Sequence, residues 1–194
     1  MKGNIYIVPR WSGNEHSDWY DWFKKEVESN YDYSVQALNL PHWNSPTVAD
    51  ATNYLVREIP MPDESTILIG HSVGCLAILH YLEEIMSRNS DVKIGGLLLV
   101  AGWFDVDEPW DTAQPWLDNE DLSYGLFRKN ILQKRVIVSD NDPFTSDYEA
   151  NAVLWKDRLG AEVTLCPGKS HFNSSVEPDV MAEFRNMIHE SPTV

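Results

Sequence analysis

The stretch from Thr66 to Met86 narrows the folds open to this chain more than any other. Thr66-Ile67-Leu68-Ile69 is a continuous apolar run of strand length. It passes without a linker into Gly70-His71-Ser72-Val73-Gly74, and Cys75 through Met86 is apolar almost all round. A strand that turns at once into a buried helix packs its backbone tightly on its neighbours. Only very small residues fit on either side of such a turn, and Gly70 and Gly74 stand there. The pattern Gly-x-Ser-x-Gly alone says little. With a strand before it and a buried helix after it, it is a nucleophile elbow. The turn aims the Val73 N–H and the helix N-terminus at the point where negative charge would develop on a reacting group.

The rest of the chain repeats the same rhythm. Strands are predicted at Asn4–Val8, Ser34–Leu38, Thr66–Ile69, Gly95–Val100, Arg135–Ser139 and Glu162–Leu165. Most are nearly unbroken in Ile, Val and Leu, as strands buried on both faces are. Helical faces lie between them. Trp19, Trp22, Phe23 and Val27 form one, and Val48, Ala51, Leu55 and Ile59 form another, opened by Ser45-Pro46. Ser146-x-x-Glu149 reads as a capping box for a helix through Tyr148, Ala152, Trp155 and Leu159 that Gly160 ends. Val180, Met181, Phe184, Met187 and Ile188 mark the last helix. This alternation predicts an α/β fold, a three-layer α/β/α sandwich on a mostly parallel sheet of about six strands, with minimal or no cap. Residues 1–194 are read as one domain. Ligands in such folds bind beyond the carboxyl ends of the strands, so the loops there are where chemistry is sought.

A serine hydroxyl needs a base to become a nucleophile, and the base needs an orienting acid. In folds with this elbow the chain order is Ser, then Asp or Glu, then His. Of six histidines, only His171 and His189 come late. His189 falls at the end of the last helix, an ordinary place for a positive end-cap. His171, in Cys166-Pro167-Gly168-Lys169-Ser170-His171-Phe172, sits on a loop after a strand. His71 adjoins Ser72, but adjacent side chains on such a turn point apart. His80 lies mid-helix and reads as a packed histidine. Two aspartates compete for the acid in Ser139-Asp140-Asn141-Asp142-Pro143-Phe144. Asp142 is preferred because the following proline holds it out of helical geometry. Asp140 then forms the turn through its own backbone bonds. The second oxyanion donor is expected after the first strand, at the Trp11 N–H first and Arg10 next. Arg10, His42, Trp103 and Phe104 are candidate substrate-binding residues. The segment from Asp105 to Asp121, rich in acids and carrying Trp110 and Trp116, is too long for a plain connection. It is either a flap over the site or a surface loop packed down by its tryptophans.

These features together resemble the small, lid-poor serine hydrolases of the retinoblastoma-binding protein nine family, within the α/β-hydrolase superfamily. The resemblance rests on the opening strand with Pro9, on Trp19 and Trp22, on Leu40-Pro41 and on the elbow Gly70–Gly74. Asp142-Pro143 and Ser170-His171-Phe172 complete it. It implies a Ser72, Asp142 and His171 triad, no cofactor, and hydrolysis of small esters or related acyl compounds. Two positions depart from the family pattern. Arg10-Trp11 stands where relatives usually carry glycine or asparagine, and Ser170 stands where the residue before the last histidine is usually glycine.

The expected activity is therefore cleavage of a small-molecule ester, thioester or amide through an acyl-enzyme. Two rivals use the same residues. One is a protein-interaction module on a hydrolase fold, favoured by eight tryptophans. The other is an acyltransferase. A net charge of −15 argues against nucleic acid and anionic membrane partners. Only two cysteines, no zinc-type spacing and an opening apolar run too short for a signal peptide predict no metal and a cytoplasmic setting.

Overall fold

The computed structural model describes residues 3–189. The sheet is built from β1 (Gly3–Val8), β2 (Tyr33–Ala37), β3 (Thr66–His71), β4 (Ile94–Val100), β5 (Ile131–Val138) and β6 (Glu162–Leu165). These lie in the order β2-β1-β3-β4-β5-β6, and every neighbouring pair is parallel. The helices are α1 (Tyr20–Asn30), α2 (Val48–Glu58), α3 (Val73–Arg88), the short α4 (Gln114–Leu117), α5 (Tyr124–Asn130), α6 (Tyr148–Leu159) and α7 (Pro178–His189). Because side chains alternate across a strand, each central strand feeds two cores. Ile67 and Ile69 of β3 pack with Tyr20, Phe23 and Val27 of α1 and Phe184 of α7. Leu68, between them, packs with α2 and α3 through Leu55, Leu76 and Leu79. This is the three-layer α/β/α sandwich that the Ile, Val and Leu runs imply.

Four local expectations are corrected. β5 begins at Ile131 rather than Arg135. The buried Arg135 sits in the strand, with its guanidinium on Glu183 at 3.0 Å and on Glu162 at 3.1 Å. Thr47, not Ser45, caps α2, its hydroxyl accepting the Asp50 N–H at 3.1 Å. Asp147, not Ser146, caps α6 by accepting the Ala150 N–H at 2.9 Å. Ser146 is drawn away, since its N–H and hydroxyl both bond Asp107. Trp22 is only partly buried, and Tyr20 takes its place on the inward face of α1. Gly160 does end α6, in the left-handed conformation at φ 64°.

The topology decides where a site can form. From β1 the chain moves to one side to make β2, then returns to the other side of β1 to make β3. The crevice at such a reversal, at the carboxyl ends of β1 and β3, is where open parallel sheets accept ligands. Val8-Pro9 and His71-Ser72 end those two strands.

Candidate active site

Ser72 occupies the apex between β3 and α3 at φ 56°, ψ −125°, a region that non-glycine residues rarely adopt. Its N–H donates to the Val100 carbonyl at 2.8 Å, and its own carbonyl accepts the Cys75 N–H at 2.9 Å. Both neighbouring glycines are required by space. A Cβ on Gly70 would lie 2.7 Å from the Cys75 backbone, and one on Gly74 would run into the Val8 and Pro9 carbonyls. Strain at Ser72 is thus held by contacts on both sides of the turn.

His171 follows β6 and reaches the same cleft as Ser72. Its Nδ1–H donates to Asp142 Oδ2 at 2.8 Å, with both side chains buried. A carboxylate only accepts, so Nδ1 carries a proton, and it is the neutral form of the ring that offers a lone pair at Nε2. Asp142 is steadied by the Phe144 N–H on Oδ1 at 3.0 Å. Asp140 points elsewhere and accepts the Gly168 N–H at 2.8 Å. Asn141 Oδ1 receives the Ser170 N–H at 2.7 Å, and Ser139 Oγ receives the Lys169 N–H at 2.9 Å. These bonds join the loop after β5 to the loop after β6. They hold Ser170 at φ 52°, the conformation a glycine would adopt freely.

Ser72 Oγ accepts a long hydrogen bond, 3.4 Å, from the Trp103 indole N–H. Among the described residues no hydrogen bond joins Ser72 to His171. Catalytic bonds of this type commonly tighten only when substrate is present. Val73 provides the first N–H of α3, which has no partner within the helix. Across the cleft, the Arg10 N–H is taken by Tyr20 Oη at 3.1 Å, and the Ser12 N–H by the Trp43 carbonyl at 2.8 Å. Between them, the Trp11 N–H has no partner among the described residues.

The cleft encloses about 200 Å³. Its walls include Arg10, Trp11 and Trp103, as the sequence suggests, Trp110 from the segment expected to be either a flap or a packed surface loop, and also Phe144 and Asn173, which no sequence expectation named as site residues. Phe144 lays an edge on the His171 ring at 4.8 Å, and Trp110 meets Trp11 edge to face at 5.2 Å. Two expectations are corrected. His42 lies beside a separate hollow formed with Pro41, Trp43 and Thr47. Phe104 is buried away from the cleft, 4.0 Å from the Trp155 ring and beneath the Arg158 guanidinium. Arg10 reaches the cleft with its charge already engaged, since Nε lies 2.7 Å from Asp18 Oδ2 and the other two nitrogens bond Asp18 and the Trp11 carbonyl.

The long 105–121 segment divides its two tryptophans. Trp116 is fully buried and donates to the Pro46 carbonyl at 3.2 Å, whereas Trp110 stays exposed at the cleft mouth. Cys75 and Cys166 are free and buried. Burial raises the Cys75 thiol far above its ordinary pKa and pushes Cys166 up to about 11, so neither is a ready thiolate. Among the described residues no cluster of His, Cys, Asp or Glu is arranged to hold a metal, and no helix is long and apolar enough to cross a membrane.

Comparison with known proteins bears on the family and the fold. The family model for serine hydrolases matches residues 5–179. The Bacillus subtilis protein YdeN is 32% identical over 105 residues, an alignment spanning 53% of this chain and 52% of YdeN, about half of each. Serine hydrolase RBBP9 of Rattus norvegicus is 24% identical over 94% of both chains. The crystal structure of the ydeN gene product superposes with a TM-score of 0.82 at 21% identity, covering 97% of this chain and all of that one, which shows a shared fold.

Proposed function

The chain belongs to the serine hydrolase family, and from that premise we propose that it cleaves small carboxylic esters, thioesters or amides through an acyl-enzyme on Ser72. The observation that carries this reading is the buried His171–Asp142 bond at 2.8 Å beside a serine held at a strained elbow in the same cleft. Ser72 Oγ attacks the acyl carbonyl carbon while its proton passes to His171 Nε2. The oxygen that gains charge is bound by the Val73 and Trp11 N–H groups. Collapse of this intermediate expels the leaving group, which takes the proton from His171. Water, deprotonated by the same nitrogen, then attacks the acyl-enzyme, and the acid leaves as Ser72 regains its proton. Asp142 keeps the imidazole in the right tautomer and stabilises its charged form throughout.

The cleft also suggests what it accepts. Its small volume and aromatic walls suit a short or flat acyl group. Arg10, neutralised by Asp18, gives little attraction for an anionic one. Reduced, buried thiols fit a cytoplasmic setting. The test is a series of p-nitrophenyl esters of rising acyl length, with rapid mixing and mass spectrometry of the quenched enzyme. The reading predicts a burst of nitrophenol and an acyl adduct on the Ser72 peptide, strongest for short chains. Turnover without any adduct would contradict it.

A further inference from the structure

Beneath the cleft runs a chain of buried hydrogen bonds that the reaction itself does not use. The Arg10 N–H bonds Tyr20 Oη at 3.1 Å, Tyr20 Oη lies 2.8 Å from His71 Nδ1, and His71 Nε2 lies 2.8 Å from the His171 backbone carbonyl. Tyr20 and His71 are fully buried. The direction of each bond follows from chemistry. A carbonyl only accepts, so His71 Nε2 carries a proton. Burial drives the His71 pKa well below its ordinary value, so the ring is neutral and Nδ1 is an acceptor. The Tyr20 hydroxyl must then donate to Nδ1, which leaves its oxygen to receive the Arg10 N–H. Burial also raises the Tyr20 pKa, which keeps that donor protonated. The Asp18 carboxylate stands 3.8 Å from Nδ1 and would favour a charged ring, but Arg10 already holds it through two nitrogens. Asn173 on the base loop bonds Asp18 as well, at 3.3 Å.

We propose that Tyr20 and His71 are positioning residues that tie the loop bearing Arg10 and Trp11 to the loop bearing His171, fixing the oxyanion donor and the base relative to one another. The link joins segments from three strand ends: β1, β3 and β6. It accounts for Arg10 not serving as the oxyanion donor, since its N–H is spent on Tyr20. It also gives the histidine of the elbow a task distinct from that of the base. The catalytic consequence rests on the triad reading above; the link itself does not.

The variants are Tyr20→Phe, which removes only a hydroxyl, His71→Phe, which removes both ring bonds, and His71→Gln, which restores an N–H donor toward the His171 carbonyl. In Tyr20→Phe, kcat on p-nitrophenyl acetate should fall about tenfold, with KM nearly unchanged, as for a small misplacement of catalytic groups. His71→Gln should retain more turnover than His71→Phe. Adding Tyr20→Phe to His71→Phe should cost little further, because the two residues act as one unit. Ring nitrogen NMR should show His71 as the neutral Nε2–H tautomer. It should also show that Tyr20→Phe moves the His171 ring signals, although no bond joins those two residues. An Nδ1–H or doubly protonated His71, unmoved His171 signals, or unchanged kcat in an active enzyme would overturn the proposal. If the wild type neither turns over nor labels with a fluorophosphonate, the triad reading falls, and the NMR arm still decides the link.

Discussion

At the floor of the cleft, Gly70 and Gly74 leave no room for a Cβ, and Ser72 is held at φ 56° between a strand and a fully buried helix turn. At its rim, Trp110 is 38% exposed and Phe144 43%, and each meets its neighbour in the cleft by a ring edge. The floor is fixed by backbone contacts that nearly any side-chain change would violate. The rim is made of large side chains on loops, which can be exchanged without disturbing the sheet. Under the proposed function, chemistry common to many substrates belongs on the first, and selection among substrates on the second.

The sharpest break between floor and rim is expected at Asp142. Asp142→Asn leaves the packing intact but offers His171 the wrong partner, and kcat should fall about ten-thousandfold. Asp140→Asn, measured beside it, should lose far less, because Asp140 only receives the Gly168 N–H. A larger loss at Asp140 would transfer the acid's role to it. Next comes Gly74→Ala, whose added Cβ meets the Val8 and Pro9 carbonyls. Thermal unfolding should show a loss of about 3 kcal/mol, the upper range for forced overpacking. A Tm equal to wild type would mean that the floor is not rigid. Trp110→Ala should have the smallest effect. It removes one aromatic edge contact, so KM should rise about threefold to tenfold for aromatic esters with little change in Tm. If it lowers kcat instead, the rim takes part in the chemistry and the division fails.

The same division explains what could be read from the chain. The floor was legible because its constraints are local. A strand, two glycines, a serine and an apolar helix follow each other directly in sequence, and Asp142 and His171 come in the order that the fold requires. The rim was not, because Trp110, Phe144 and Asn173 meet only through the folded loops. A faint signal existed for each: Trp110 lies in the long acidic segment that could form a flap, Phe144 follows the Asp-Pro pair, and Asn173 lies two residues after His171. His42 and Phe104 misled for the converse reason. Each follows a strand end, yet Phe104 turns inward onto Trp155, and His42 closes a neighbouring hollow. The start of β5 was hidden because Gln133 and Lys134 look like surface residues. Arg135, already within the expected strand, is buried there with its charge paired to Glu183 and Glu162. The helix caps failed by one or two residues, where Ser45 and Ser146 stand close to a better-placed Thr47 and Asp147.

The proposed reaction depends above all on the strained serine at the floor being the nucleophile. Fluorophosphonate labelling, read by intact mass and peptide mapping, tests it most directly. One adduct is expected on the wild type, located at Ser72, and none on Ser72→Ala. A wild type that remains unlabelled, or a Ser72→Ala variant that labels equally well, would contradict it.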